Sequence, residues 1–105
     1  MMLSVTFTPT KKMFSVKIEI FGVPSGVTSL KSVDVTLEDG AVISNLAAAI
    51  RQAIPALEGK VIRRGENRLV ENYSFNINGN FYSGNESIKL NSNDSIKLVM
   101  LATGG

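Results

Sequence analysis

Ile96-Lys97-Leu98-Val99-Met100-Leu101-Ala102-Thr103-Gly104-Gly105 closes the sequence, and the place this strand takes in a sheet decides the fold. Alternation puts Ile96, Leu98 and Met100 on one face and Lys97, Val99 and Leu101 on the other. So high an apolar content predicts a central strand buried on both sides. The two glycines then end it on a thin, pliable tether, because neither has a Cβ to limit its backbone angles or its passage through a narrow channel. At a glycine usage of about 7%, a terminal pair arises by chance in roughly one chain in two hundred. The rest of the sequence has to say whether the pair is used.

Working back from this strand, residues 84–95 are rich in Ser, Asn and Gly and read as a loop or short strand anchored by Ile88 and Leu90. Asn93, just before Asp94, fits a left-handed position in a tight turn. Asn78-Gly79 is the strongest hairpin signal in the chain, since both residues tolerate positive φ. Before it, Tyr73, Phe75 and Ile77 alternate with Ser74 and Asn76 as a strand. Phe81 and Tyr82, after the turn, are equally compatible with core and surface. Residues 59–68 are the least regular part and hold Lys60, Arg63, Arg64 and Arg68 against one acid, Glu66. They read as a solvated connection, with contact to an acidic partner or a nucleic-acid backbone as the alternative. Without interleaved aromatic residues they make a poor nucleic-acid site.

The first half of the chain alternates, then changes period. Phe14, Val16, Ile18 and Ile20 face Ser15, Lys17 and Glu19 across one strand. Gly22-Val23-Pro24-Ser25-Gly26 breaks it, and Val33, Val35 and Leu37 make a second strand, paired antiparallel with the first. After Asp39-Gly40 the period becomes about 3.6: Ile43, Leu46, Ala47, Ile50, Ala53, Ile54 and Leu57 share a stripe that suits packing on a sheet. Ser44 is placed to cap this helix and Pro55 to stop it. The expected class is α+β, a mixed four- to five-stranded sheet with one main helix on one face. If the last strand lies parallel beside the first, the fold is a β-grasp.

Composition narrows the chemistry. The 105 residues suit one domain, here residues 14–105, preceded by an extension over residues 1–13 that is either loose or a short extra strand. The net charge of +2 is too small to argue for nucleic acid. No signal peptide and no membrane-spanning run is evident, so no membrane role and a cytoplasmic address are expected. Cysteine and histidine are both absent, which removes disulfides, thiolate chemistry, the commonest general base and the commonest metal ligand. If chemistry happens at this chain, its catalytic groups are expected in another protein.

Over residues 16–105 the chain resembles the ubiquitin-like sulfur carriers related to the small subunit of molybdopterin synthase (MoaD/ThiS-like). Residues 16–21, the helix Ala41-Val42-Ile43-Ser44-Asn45-Leu46-Ala47-Ala48-Ala49-Ile50 with its Pro55-Ala56-Leu57-Glu58 ending, Phe75-Asn76-Ile77-Asn78-Gly79, and residues 90–105 carry the likeness. Residues 60–73 are longer than in compact bacterial members and look more like the archaeal branch, whose members also serve as small protein modifiers. Met100 and Leu101 stand where two prolines are common, and Ser92-Asn93-Asp94 where an acid-Gly-Asp turn is common. The ending lacks the arginine of the eukaryotic ubiquitin tail, so a ubiquitin-type activating enzyme is not the expected partner.

The resemblance implies a β-grasp carrier rather than an enzyme. It would bind no cofactor itself, while an adenylating partner (MoeB/ThiF-like) uses ATP and Mg. Gly105 would be adenylated and thiocarboxylated, with Gly104 giving reach, and the sulfur would pass to a pterin precursor in the molybdopterin synthase large subunit. Equally, the activated Gly105 could join lysines of target proteins, and a third reading is a β-grasp interaction domain without tail chemistry. Val99, Leu101 and Phe81 are the candidate partner-binding residues.

Overall fold

The computed structural model describes residues 12–101. Five strands and one helix follow in the order β1 (Met13–Phe21), β2 (Ser32–Glu38), α1 (Ile43–Ala53), β3 (Tyr73–Ile77), β4 (Asn80–Tyr82) and β5 (Ile96–Met100), with a 3-10 turn at Pro55–Leu57 after the helix. The sheet order is β2-β1-β5-β3-β4. β1 and β2 pair antiparallel, with Val16 opposite Val35. β5 lies parallel to β1, with Ile18 opposite Ile96 and Phe21 opposite Val99. β3 is antiparallel to β5 on its other side, and β4 to β3. This is a mixed sheet with one helix on one face, the β-grasp arrangement. Most of the expected extension, residues 1–13, lies outside the described residues, and β1 takes in Met13.

One side of β1, β2, β3 and β5 faces the helix. Val16, Ile18 and Ile20 of β1, Val35 and Leu37 of β2, Phe75 of β3 and Leu98 of β5 are buried against Ile43, Leu46, Ala47 and Ile50 of α1. Each of these apolar side chains except Ala47 contributes about 1.5–3 kcal/mol relative to exposure. Ala53, expected on the helical stripe, is exposed because Pro55 ends the helix beside it. The expected cap at Ser44 is not made: α1 begins one residue earlier, and the Asn45 side chain reaches back to accept the Val42 N–H at 2.9 Å.

Turn chemistry sets the β3–β4 register. Asn78 and Gly79 have φ of 53° and 92°, the paired positive angles of a type I′ turn. The Asn78 side chain also accepts the Ser95 N–H and donates to Asp94, tying this turn to the residues before β5. Asn91 to Asp94 turns without any left-handed residue, so the expectation for Asn93 fails: Asp94 accepts the Asn91 N–H and closes the turn through its side chain. Leu90 is buried as expected, whereas Ile88 is 46% exposed. Ile88 meets the helix start only through its backbone carbonyl, which accepts the Ile43 N–H.

β5 is central, but it is not buried on both sides. Ile96 and Leu98 are fully covered, Lys97 and Val99 only in part, because the helix lies on one face of the sheet alone. Met100, assigned to the core face, is 44% exposed: the strand outruns the helix there. The expected solvated connection, residues 59–68, is instead anchored, with Val61 and Ile62 fully buried.

Two measurements test the fold. Gly22 sits at φ +83°, and a Cβ there would come within 2.8 Å of the Met100 Cβ, so Gly22→Ala is expected to cost about 1–3 kcal/mol in urea unfolding, while Gly26→Ala, in open space, stays within about 0.5 kcal/mol of native. Glu86 is raised by partial burial but lowered overall by the N–H groups of Ser83, Gly84 and Glu86 itself and by the Ser83 hydroxyl. Its depressed folded-state pKa makes its stabilisation complete above the unfolded value and lost as pH falls through the folded one. Glu86→Gln should therefore be less stable than native at about pH 7, with the gap closing at about pH 3.

Candidate functional site

The site is built around the end of β5. Met100 pairs with Tyr73, and the Leu101 N–H then donates to the Asn72 carbonyl at 2.8 Å, so the chain stays bonded to the β3 side up to the last described residue. Gly104 and Gly105 lie outside the described residues. Gly22, at the end of the neighbouring β1, lets Met100 pass close by for want of a side chain.

The uncovered sheet face divides into two parts. One row crosses it as Phe21 of β1, Val99 of β5 and Ser74 of β3. The next row runs Glu19, Lys97, Asn76 and Phe81. Opposite charges meet across strands at Glu19 and Lys97, and again at Lys17 and Asp34, where facing side chains of opposite sign favour the pairing. Apolar groups gather instead where β5 ends: Phe21 is 48% exposed, Leu101 38%, and Val99, opposite Phe21 on the neighbouring strand, is half-buried. Phe81 is 59% exposed but stands two strands from β5, about 10 Å across the sheet, beyond Asn76.

The structure thus brings Val99 close to the strand exit with Leu101 and sets Phe81 apart from them. It adds Phe21, which sequence reasoning missed. The signal was available, because Phe21 continues the exposed set Ser15, Lys17 and Glu19 by parity. Met100 joins the same end from the other side of the strand.

A second feature borders the exit. Residues 59–68 are held by Arg51 of α1, whose guanidinium donates to the Arg63 carbonyl at 3.2 Å, to the Glu66 carbonyl, and to Asn67 Oδ1 at 2.9 Å. Glu58 lies 3.8 Å from the Arg51 Nε and accepts the Gly65 N–H. Arg63 reaches Glu71 at 3.5 Å, and both line a surface depression with Val70 and Asn72, the residue that bonds Leu101.

No protein-family model and no curated protein matches the chain. Among solved structures it is similar to the crystal structure of SAMP1 from Haloferax volcanii, at 23% identity over 87% of this chain and 99% of that one, with a TM-score of 0.70. The solution structure of the small archaeal modifier protein 1 from Methanosarcina acetivorans matches at 20% identity, covering 90% and 99%, with a TM-score of 0.65. A Pyrococcus furiosus protein provisionally assigned as molybdopterin converting factor, subunit 1, matches at 16% identity, covering 85% and 99%, with a TM-score of 0.63. Element order, the parallel β1–β5 pair and these neighbours agree that the chain has the ubiquitin-like β-grasp fold of the small archaeal modifier proteins and the molybdopterin converting factor subunit.

Proposed function

We propose that this protein is a cytoplasmic sulfur carrier whose C-terminal glycine is activated by an ATP-dependent partner. The observation that carries the reading is the end of β5: a central strand leaves the sheet beside an exposed apolar face and is followed in sequence by Ala102-Thr103-Gly104-Gly105. The carboxylate of Gly105 would attack the α-phosphate of ATP, forming the acyl adenylate and releasing pyrophosphate. A sulfur donor then displaces AMP and leaves a thiocarboxylate, a stronger nucleophile than the carboxylate it replaces. Transfer of that sulfur to a pterin precursor in a large partner subunit is the reaction we assign to it. This chain's own part is presentation. Phe21, Val99 and Leu101 dock the activating enzyme, with Phe81 at the far border of the docked area, and Gly104 carries Gly105 into a slot too narrow for side chains.

A second reading has its own support. Similar solved structures from two archaea are small archaeal modifier proteins, and a modifier uses the same adenylate. There, a target lysine amine rather than sulfur captures Gly105.

Adenylation is measured as ATP–pyrophosphate exchange by the activating enzyme of the same organism. Deleting Gly105 should reduce exchange to the level seen without carrier, and undiminished exchange would sink both readings. Val99→Asp places a charge in the docked face and should raise the KM for the carrier about tenfold. Intact-mass analysis of the protein from its host separates the readings: sulfur in place of oxygen at Gly105 marks the carrier, and Gly-Gly remnants on lysines of other proteins mark the modifier.

A further inference from the structure

Lys60, Arg63, Arg64 and Arg68 take no part in the chemistry proposed above, yet they are displayed from an ordered scaffold. Val61 and Ile62 are driven into the core, Leu69 is 2% exposed, and Arg51 ties the backbone at Arg63 and Glu66. A loop held at so many points presents its cations at fixed positions, which lowers the ordering cost of any contact they make. Arg63 is drawn toward Glu66 and Glu71. Among the described residues, Lys60 and Arg64 are exposed and make no ion pair.

The loop is also in the right place. Arg63 and Asn72 share one depression, and the Asn72 carbonyl holds the Leu101 N–H, so the basic segment flanks the strand end from which the Gly-Gly sequence follows. We propose that residues 60–64 form a second docking element that meets an acidic surface of the adenylating enzyme beside the entrance to its nucleotide site. The inference rests on the activation reading above and names the charge character of the partner.

Reach sets how far from the nucleotide site the loop can lie. Four residues separate Leu101 from the end of Gly105, and they span at most about 14 Å when extended. With Gly105 at the α-phosphate, that tether keeps the loop close to the mouth of the site, within reach of enzyme side chains there. Nucleic acid is the poorer occupant, because no aromatic residue interleaves with the cations to stack on bases. Rim charges of this kind act mainly on encounter, so their signature is in KM and its salt dependence.

The test is ATP–pyrophosphate exchange by the organism's adenylating enzyme, with the native chain and with the double variant Lys60→Glu/Arg64→Glu as carrier. The variant is expected to raise KM about tenfold, leave kcat within about twofold, and flatten the fall of kcat/KM between about 50 and about 500 mM salt. Lys60→Gln/Arg64→Gln should fall between the two. Equal urea midpoints show that the fold is intact, as befits two exposed side chains. A KM within about twofold of native, with an unchanged salt slope, overturns the inference while leaving activation standing. If the native chain itself stimulates no exchange, the activation reading fails and the docking element falls with it.

Discussion

Everything in this structure depends on the parallel pairing of β5 with β1. Parallel neighbours cannot be joined by a tight turn, so the chain between them has to cross the sheet, and α1 makes that crossing. The pairing carries the last strand to the centre of the sheet, with β1 on one side and β3 on the other. Fraying β5 would therefore break two hydrogen-bonded ladders and expose Ile96 and Leu98 together. A strand that ends a sequence is ordinarily free to loosen at low cost. Here the base of the final residues is among the best-held segments of the fold.

The same pairing fixes which face is left uncovered. Once Ile18 and Ile96 turn toward α1, parity sends Phe21 and Val99 to the opposite side, next to the strand exit. Charge pairs occupy the rest of that face, Lys17 against Asp34 and Glu19 against Lys97. A partner seated at the exit therefore meets apolar surface first and a balanced polar surface farther away. That arrangement favours contact at one end of the sheet over contact across all of it.

How much was legible in the sequence follows the range of the forces involved. The alternation in β1, β2 and β3, the helical stripe and the Asn78-Gly79 turn are local patterns, and each appears where expected. Failures came where tertiary contacts decide. Ser44 lost its capping role because Asn45 competes for the same helix end, and Met100 left the core because α1 is too short to cover it. Residues 59–68 read as solvated because their charges outnumber Val61 and Ile62 in sequence. In space those two residues govern, since burial of each outweighs the solvation of exposed side chains that remain in water either way. Arg51, a helix residue with no local cue, supplies the bonds that a periodic pattern cannot show.

On the activation reading, the division between the fold and its glycine ending also bears on the choice between sulfur and amine. On that reading, surface recognition by Phe21, Val99 and Leu101 would act on whichever protein docks, before any bond to Gly105 changes. The competing nucleophiles would meet an adenylate at Gly105, four residues beyond Leu101, where Gly104 and Gly105 offer only backbone. Backbone alone cannot discriminate a sulfur donor from a lysine, because discrimination needs shaped or charged groups that favour one and reject the other. The chain has neither cysteine to hold sulfur nor histidine to deprotonate an amine. On that reading, selection of the nucleophile would belong to the partners, and the fold's contribution would be to decide which of them is admitted to the exit of β5.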